Sequence, residues 1–529
     1  MSGPRLKQLV WAATLLVLVG GALLVVPLLG NLYGRLERAQ VQNSALNLVQ
    51  ARHAEPGALA WEPDDPGLPR DMEPYARDAV TDGYRRGYEE LAYALYSGET
   101  LGLPSYFQQE ALDDARLVTD HTQNVEFADW DHQLTLHFYA PDGATVAFTD
   151  TYLYAQGRFT DGAQRFARVA RRTVDVQMDL DDGNWRVHHW RILTDSANPV
   201  PPPPRPALPA LLGGIHGVNY EARSAPFSLL WTRFDPQEVD GDFRAARTLG
   251  FDTVRIFVPY PLPKDAGTTL NALLDAAGRR GLRVIPTLLD GYTRYRLADL
   301  PGILGMYGTL RPALERPEVL AIDLKNEADR DAPTAGWDRL RFFLTVLAEQ
   351  VRVRSSKPLT VGTVTPDREL SRALDFVTVH AYGPPGELEG LLSAAERQGR
   401  PVLLEEFGYH TLGTALPDPH TEADQARHYA QVLRTVRGRG EGWMAWTLYD
   451  LKTGAVPGGR AVERNLGVLR ADGSAKPVVG VLRGEPAPPP GPLDRVERWG
   501  FMIRRVLLVL VVGVAAAVWW RRRQVGRRR

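Results

Sequence analysis

Glu327 closes the run Val319-Leu-Ala-Ile-Asp-Leu-Lys-Asn-Glu327, and Glu406 lies near the end of Pro401-Val-Leu-Leu-Glu-Glu-Phe-Gly408. A short apolar run of this kind is how a parallel strand buried on both faces reads in sequence. A carboxyl at the C-terminal end of a barrel strand points into the mouth where (β/α)8 enzymes do their chemistry. Two carboxyls facing one another there can cleave a glycosidic bond, one giving a proton and one attacking the anomeric carbon. A lone Glu at a strand end is more often a solvated residue, so the weight rests on what the chain sets around these two.

The elements that would position them recur with great regularity. Apolar runs near 214–219, 253–259, 283–289, 320–325, 359–364, 376–381, 402–405 and 442–448 read as strands, with helical periodicity between successive pairs. Eight strands with intervening helices over 209–482 is the count and size of a TIM barrel. An open doubly wound sheet would need a phosphate-binding glycine-rich turn after its first strand, and G-x-G-x-x-G is missing there. Ahead of the barrel, Val80, Tyr84, Tyr88, Leu91 and Leu95 recur at helical spacing, and alternating strands follow between 133 and 192. Asp142-Gly143 and Asp182-Gly183 supply turns. This predicts a smaller α+β domain over 70–197. His188 and His189 are neighbours on a strand and would face opposite sides, which argues against a shared metal.

The large domain resembles the clan A (4/7) glycoside hydrolases, and within them the family-5-like cellulases and mannanases. Asn326-Glu327 on the fourth strand and Glu406-Phe407-Gly408 on the seventh carry the resemblance. It implies a retaining β-glycosidase with Glu327 as acid/base and Glu406 as nucleophile, and no metal or organic cofactor. Arg255 matches the family's Arg that hydrogen-bonds the nucleophile. His380 and Tyr382 match a His-x-Tyr that lines the site, and Trp446 a Trp beneath the sugar. Asn326 is expected on the sugar 2-hydroxyl, and Asn219 is a further candidate sugar contact. Ala328 departs from the Pro common after the Asn-Glu pair. Asp290-Gly291 ends the third strand where many relatives carry a His. Both departures bear on the substrate rather than on the pair. The small domain resembles the nuclear transport factor 2-like (cone-shaped α+β) domains in architecture.

Alternation predicts that only one of Glu405 and Glu406 enters the mouth. The resemblance selects Glu406, and Glu405 is then expected to turn toward the helical shell. Arg255 and Tyr382 should stabilise the Glu406 anion. Glu327 should be protonated at neutral pH, in a less polar setting. Tyr260, Tyr292, Tyr295, Tyr307, Tyr409 and Tyr449 follow strand ends and could be stacking platforms or ordinary loop packing.

The ends of the chain carry a different signal. Residues 8–29 hold no charge and are about as long as a bilayer core requires. A second apolar segment, 501–520, precedes a basic tail, 521–529, in which six residues are Arg. These predict an N-terminal anchor, a C-terminal transmembrane helix and a cell-membrane protein with both termini cytoplasmic and the catalytic domain extracytoplasmic. Removing the six tail arginines from a net charge of −1 leaves −7, so the folded part has no nucleic-acid-binding bias. Cysteine is absent, which excludes disulfides and a thiolate nucleophile. Proline-rich stretches at 198–208 and 484–493 read as stiff linkers, the first expected to hold the small domain off the barrel.

The function so predicted is cleavage of β-glycosidic bonds in an extracytoplasmic oligo- or polysaccharide by double displacement. A transglycosylase remodelling surface polysaccharide would use the same site. A non-catalytic glycan-binding or scaffold protein, its small domain recruiting a partner, is the reading from another class.

Overall fold

The computed structural model describes residues 59–490, except 69, 121, 198–211, 414–419, 440 and 453–460. Two sheets organise it.

The first is a five-stranded sheet in the order β1-β2-β3-β4-β5. β1 is Ala60–Trp61, β2 Val125–Tyr139, β3 Thr145–Thr160, β4 Ala163–Asp181 and β5 Asn184–Ala197. β1 runs parallel to β2, and the rest form an antiparallel meander. Two of its hairpins close on two-residue loops with both residues at positive φ, Asp161-Gly162 and Asp182-Gly183. This is the conformation for which Asp-Gly is suited, and its twist matches that of the strands. Helix α1, Pro74–Ser97, starts with proline in its first turn and ends at Gly98 in the left-handed conformation. It buries Val80, Tyr84, Tyr88, Leu91 and Leu95 against the sheet, and α2, Gln109–Thr119, packs beside it.

The second sheet is an eight-stranded parallel barrel in which β6 (His216–Asn219), β7 (Thr253–Pro259), β8 (Arg283–Asp290) and β9 (Ile322–Asp323) follow one another. β10 (Leu359–Thr360), β11 (Val377–Ala381), β12 (Val402–Phe407) and β13 (Gly442–Ala445) complete it. β13 pairs with β6. The remaining seam closes between β10 and β11, where Asp375 N donates to Leu359 O at 2.9 Å and His380 N to Thr363 O at 3.0 Å. A plug of Leu212, Ile215, Ile285, Leu403 and Met444 fills one end of the interior. Gly217 makes room for it, since a Cβ there would lie 2.7 Å from Met444 Cε. The opposite end holds the polar residues described below.

The two sheets form one body, which corrects the expectation that the proline-rich linker holds them apart. Ala128, Trp130, Leu153 and Ala155 of β2 and β3 belong to the barrel's own apolar cluster. Trp130 Nε1 donates to Gln350 Oε1 at 3.0 Å, and Glu126 pairs with Arg339 at 2.6 Å. Glu126 also accepts from Leu297 N at 2.8 Å, in the segment that follows the C-terminal end of β8. Gly162 and Gly336 touch backbone to backbone, where a Cβ on Gly336 would sit 2.2 Å from Gly162 Cα. A linker's stiffness limits its reach but says nothing of the faces it brings together.

The membrane assignment is also corrected. No helix among the described residues is long and apolar enough to cross a membrane. The longest, α1, carries Arg77, Asp82, Arg85, Arg86, Glu89 and Glu90 along its length. Segments 8–29 and 501–520, on which the expected spans and localisation rested, lie outside the described residues.

Candidate active site

The polar end of the barrel is organised around one buried cation. Arg255, in the fully buried strand β7, has no exposed surface. Its Nη1 donates to Asn219 Oδ1 at 3.0 Å and to Glu406. Its Nη2 donates to Asp323 Oδ2 at 2.7 Å and to Asn326 Oδ1 at 2.9 Å. Its Nε lies 3.4 Å from Glu405. A buried guanidinium is tolerable only when its donors and its charge are met in this way. Burial disfavours its charge, but Glu405, Asp323 and Glu406 together raise its pKa.

Glu406 is held on both oxygens, by Arg255 and by the Tyr382 hydroxyl at 2.7 Å. Glu327 reaches the same centre from the end of the fourth strand, where its backbone takes the left-handed conformation at φ 44°. The turn is locked by Ala328 N donating to Gly362 O at 3.0 Å. A proline at 328 would have no N–H for that bond. Glu327 contacts Arg330 at 3.1 Å and His380 Nδ1 at 3.3 Å. His380 lies 3.4 Å from Glu406 and, through Nε2, 3.2 Å from Glu405. One carboxylate oxygen each from Glu327 and Glu406 lie within 4.8 Å of one another. Glu406 is almost wholly buried, with 4% of its side chain exposed, and Glu327 keeps 17%.

Glu405 does not turn toward the helical shell. It is fully buried inside the barrel between Arg255 and His380. The cause is a bulge: β11 pairs Val379 with Leu404 but His380 with Glu406, and the pairing of β12 with β13 also jumps between Leu404 and Phe407. An extra residue breaks strict alternation, so consecutive side chains can share a face.

The protonation pattern also differs from expectation. Burial raises the pKa of Glu327, but the hydrogen bond and charge of His380, with Arg330 and Arg255, outweigh it and hold the carboxyl below its ordinary value. Burial lowers His380, but Glu406, Glu327 and Glu405 raise it to about 10. The proton of the pair therefore rests on the imidazole. Glu405 is held low, burial being outweighed by Arg255 and His380. Asp323, buried and repelled by Glu405, is pushed up to about 6.

Glu327, His380 and Glu406 bring ligand atoms close enough to contact one cation. The set does not suit one. Arg255 and Tyr382 already occupy Glu406, and a protonated imidazole has no lone pair to give.

Asn219 is fully buried. Its amide nitrogen donates to the carbonyls of Glu405 at 2.9 Å and Ala445 at 3.2 Å, and its oxygen accepts from Arg255. These bonds tie it to barrel backbone and to Arg255. Trp446, 9% exposed, meets Phe257 edge-on at 5.6 Å between ring centres and packs with Leu466 and Phe227. Tyr292, Tyr295, Tyr307 and Tyr449 are buried, Tyr307 within the helix Leu300–Leu314, so none presents an open platform.

Sequence reasoning missed several neighbours. Asp323 carries the same signal that singled out Arg255, a charge inside an apolar strand. Arg330 lies on the loop after Glu327 and gives no such signal. Glu221, just past β6, is buried with Oε2 accepting from Phe227 N at 2.5 Å. Burial, with Asp290 and Glu406 nearby, pushes it up to about 8.

The barrel is similar to those of glycoside hydrolases. A GH5_18 protein from Streptomyces cattleya in complex with Manβ1-4GlcNAc aligns at 21% identity over 52% of this chain and 82% of its own, with a TM-score of 0.43. An exo-β-1,4-mannosidase from Opitutaceae bacterium strain TAV5 aligns at 20% identity over 50% and 57%, with a TM-score of 0.42. A glycoside hydrolase family 17 β-1,3-glucanosyltransferase from Rhizomucor miehei aligns at 17% identity over 50% and 96%, with a TM-score of 0.39. No family model and no curated protein matches the chain.

Proposed function

We propose that this chain is a retaining glycosidase or transglycosylase acting on β-glycosidic bonds. The observation that carries this reading is the approach of Glu327 and Glu406 to within 4.8 Å, oxygen to oxygen, at the polar end of the barrel. Carboxyl groups about 5–5.5 Å apart suit double displacement, whereas inversion needs room for a water between them.

In this reading Glu406 attacks the anomeric carbon. Arg255 and Tyr382 hold its two oxygens, which fixes the carboxylate against rotation and keeps it ionised. Glu327, more exposed and on a turn, serves the leaving oxygen and then the incoming acceptor. The proton it delivers is held by the His380–Glu327 pair. Attack by Glu406 converts its carboxylate into an ester and removes the charge that most raises His380. The imidazolium then becomes a stronger acid, at the moment the leaving oxygen needs a proton. Asn326, its carbonyl oxygen held by Arg255, turns its amide N–H toward the sugar 2-hydroxyl. Trp446 supports the sugar face. Asn219 and Glu405 act through Arg255 and His380 as positioning residues. The small domain, 70–197, and the barrel, 209–482, work as one body, the former bracing the loop at Leu297 through Glu126.

The test uses aryl β-glycosides. Glu406→Gln is expected to abolish turnover. Glu327→Ala should keep the first step on dinitrophenyl glycosides, whose leaving group needs no proton, and stall at the glycosyl-enzyme. Azide, which needs no general base, should rescue it as a β-glycosyl azide. Release of the α-anomer first from a β-glycoside, followed by NMR, overturns the assignment.

A further inference from the structure

The chain leaves β6 at the polar end of the barrel and reaches its next helix, which starts at Pro236, through a segment that holds the short 3-10 turn Phe227–Trp231. This turn is tied at both ends. At its far end Trp231 Nε1 donates to Phe257 O at 2.7 Å. At its near end Phe227 N donates to Glu221 Oε2 at 2.5 Å. Phe227 stands in the left-handed conformation, at φ 56°. For a bulky aromatic residue this conformation is costly, and it persists only where the surroundings impose it. The packing shows what it achieves. The half-buried Phe227 ring lies on the cluster of Phe257, Trp446 and Leu466. Trp446 is the ring that supports the sugar face in the proposed chemistry.

Glu221 is 2% exposed, and its Oε1 has no hydrogen-bond partner among the described residues. Burial, Asp290 and Glu406 all disfavour its anion. An uncharged carboxyl still accepts from an N–H through its carbonyl oxygen, so the bond to Phe227 does not depend on the charge. No step of the proposed glycosidase chemistry uses Glu221. We propose that Glu221 is a positioning residue for the sugar platform: by holding Phe227 N it fixes the Phe227 ring against the Trp446 cluster, and so fixes where Trp446 meets the sugar. This role rests on the placing of Trp446 beneath the sugar in the proposed function.

The test compares two variants of the full chain. Glu221→Gln keeps an oxygen that can accept from Phe227 N and resembles the uncharged acid, whereas Glu221→Ala keeps none. On aryl β-glycosides, Glu221→Gln is expected to hold kcat/KM near that of the wild type. Glu221→Ala should lower it roughly tenfold, the worth of one hydrogen bond, with most of the loss in KM. In a Trp446→Ala background the Glu221→Ala change should cost less than about twofold, because its effect passes through that ring. Phe227→Ala should reproduce Glu221→Ala and serves if the latter does not fold. Equal losses in the Gln and Ala variants, or full additivity with Trp446→Ala, overturns the proposal. The Trp446 indole N–H signal of 15N-labelled protein, assigned by its absence in Trp446→Phe, reads the same contact without turnover. It should move in Glu221→Ala and stay in place in Glu221→Gln, and a signal unmoved in both overturns the positioning even if the chain cleaves aryl glycosides. A wild type without turnover whose signal responds as expected sinks the glycosidase reading and leaves the positioning of Trp446 by Glu221 standing.

Discussion

His380 offers the sharpest test of the electrostatics at the barrel mouth. Its imidazole has no exposed surface and sits 3.2–3.4 Å from Glu405, Glu327 and Glu406. Burial works against its charge, and the three carboxylates carry its pKa up to about 10, from 6.5 in the unfolded chain. A pKa raised on folding means that the folded state holds the proton more tightly. The resulting stability is therefore complete below about pH 6.5 and is lost as pH rises through about 10. At about 1.4 kcal/mol per unit, the ceiling is roughly 5 kcal/mol. The perturbation is His380→Gln, which keeps a polar side chain of similar reach but cannot carry the charge. Urea unfolding of both proteins would be followed at about pH 6, 8 and 10. Packing lost by the substitution contributes a constant offset, so the slope is the readout. The gap between wild type and variant should be widest at pH 6 and close by about 1.4 kcal/mol per unit between 6.5 and 10. A gap that does not change with pH means that His380 is neutral throughout. It would refute both the charge assignment and the proton store proposed for Glu327.

Other outcomes follow from the same geometry. Glu405→Gln removes one of the three carboxylates facing His380, so the pH window over which the His380 gap closes should move downward, read by the same unfolding series. Glu126→Gln leaves Arg339 without its charge partner at a buried interface, which should cost about 1–3 kcal/mol. Calorimetry of the intact protein measures it. A barrel cut free at 209–482 exposes the surface that Trp130 and Leu153 cover, and should melt lower than the intact chain. An unchanged melting temperature would show that the docking contributes nothing. Trp446→Ala should lower kcat/KM on aryl glycosides by roughly ten- to a hundredfold, the loss of about 1.5–3 kcal/mol of aromatic contact. Steady-state kinetics decide it.

Much of the barrel was legible because its strands are buried on both faces. Runs such as Thr253-Val-Arg-Ile-Phe-Val-Pro259 read as continuous apolar stretches, and a charge inside one, Arg255, stands out for that reason. Strand ends face the mouth by the geometry of the fold, so sequence order could bring Glu327 and the Glu405-Glu406 pair to the mouth, but the choice of Glu406 within that pair came from the family resemblance. Asp161-Gly162, the turn joining β3 to β4, is a hairpin signal of the same kind as Asp182-Gly183. What sequence could not settle lies in register and in docking. The bulge that brings Glu405 beside Glu406 depends on which residues of β11 and β13 oppose it, a relation between strands with no local mark. The downward shift of Glu327 needs His380, 53 positions away, at 3.3 Å. Glu126 and Trp130 look like ordinary residues of a meander until the barrel helices cover them. Local pattern, through burial and chain direction, determined the elements and which carboxyls end them. Tertiary structure alone decided which side chains share a face and a proton, because pairing register and interface contact set those distances and charges depend on distance.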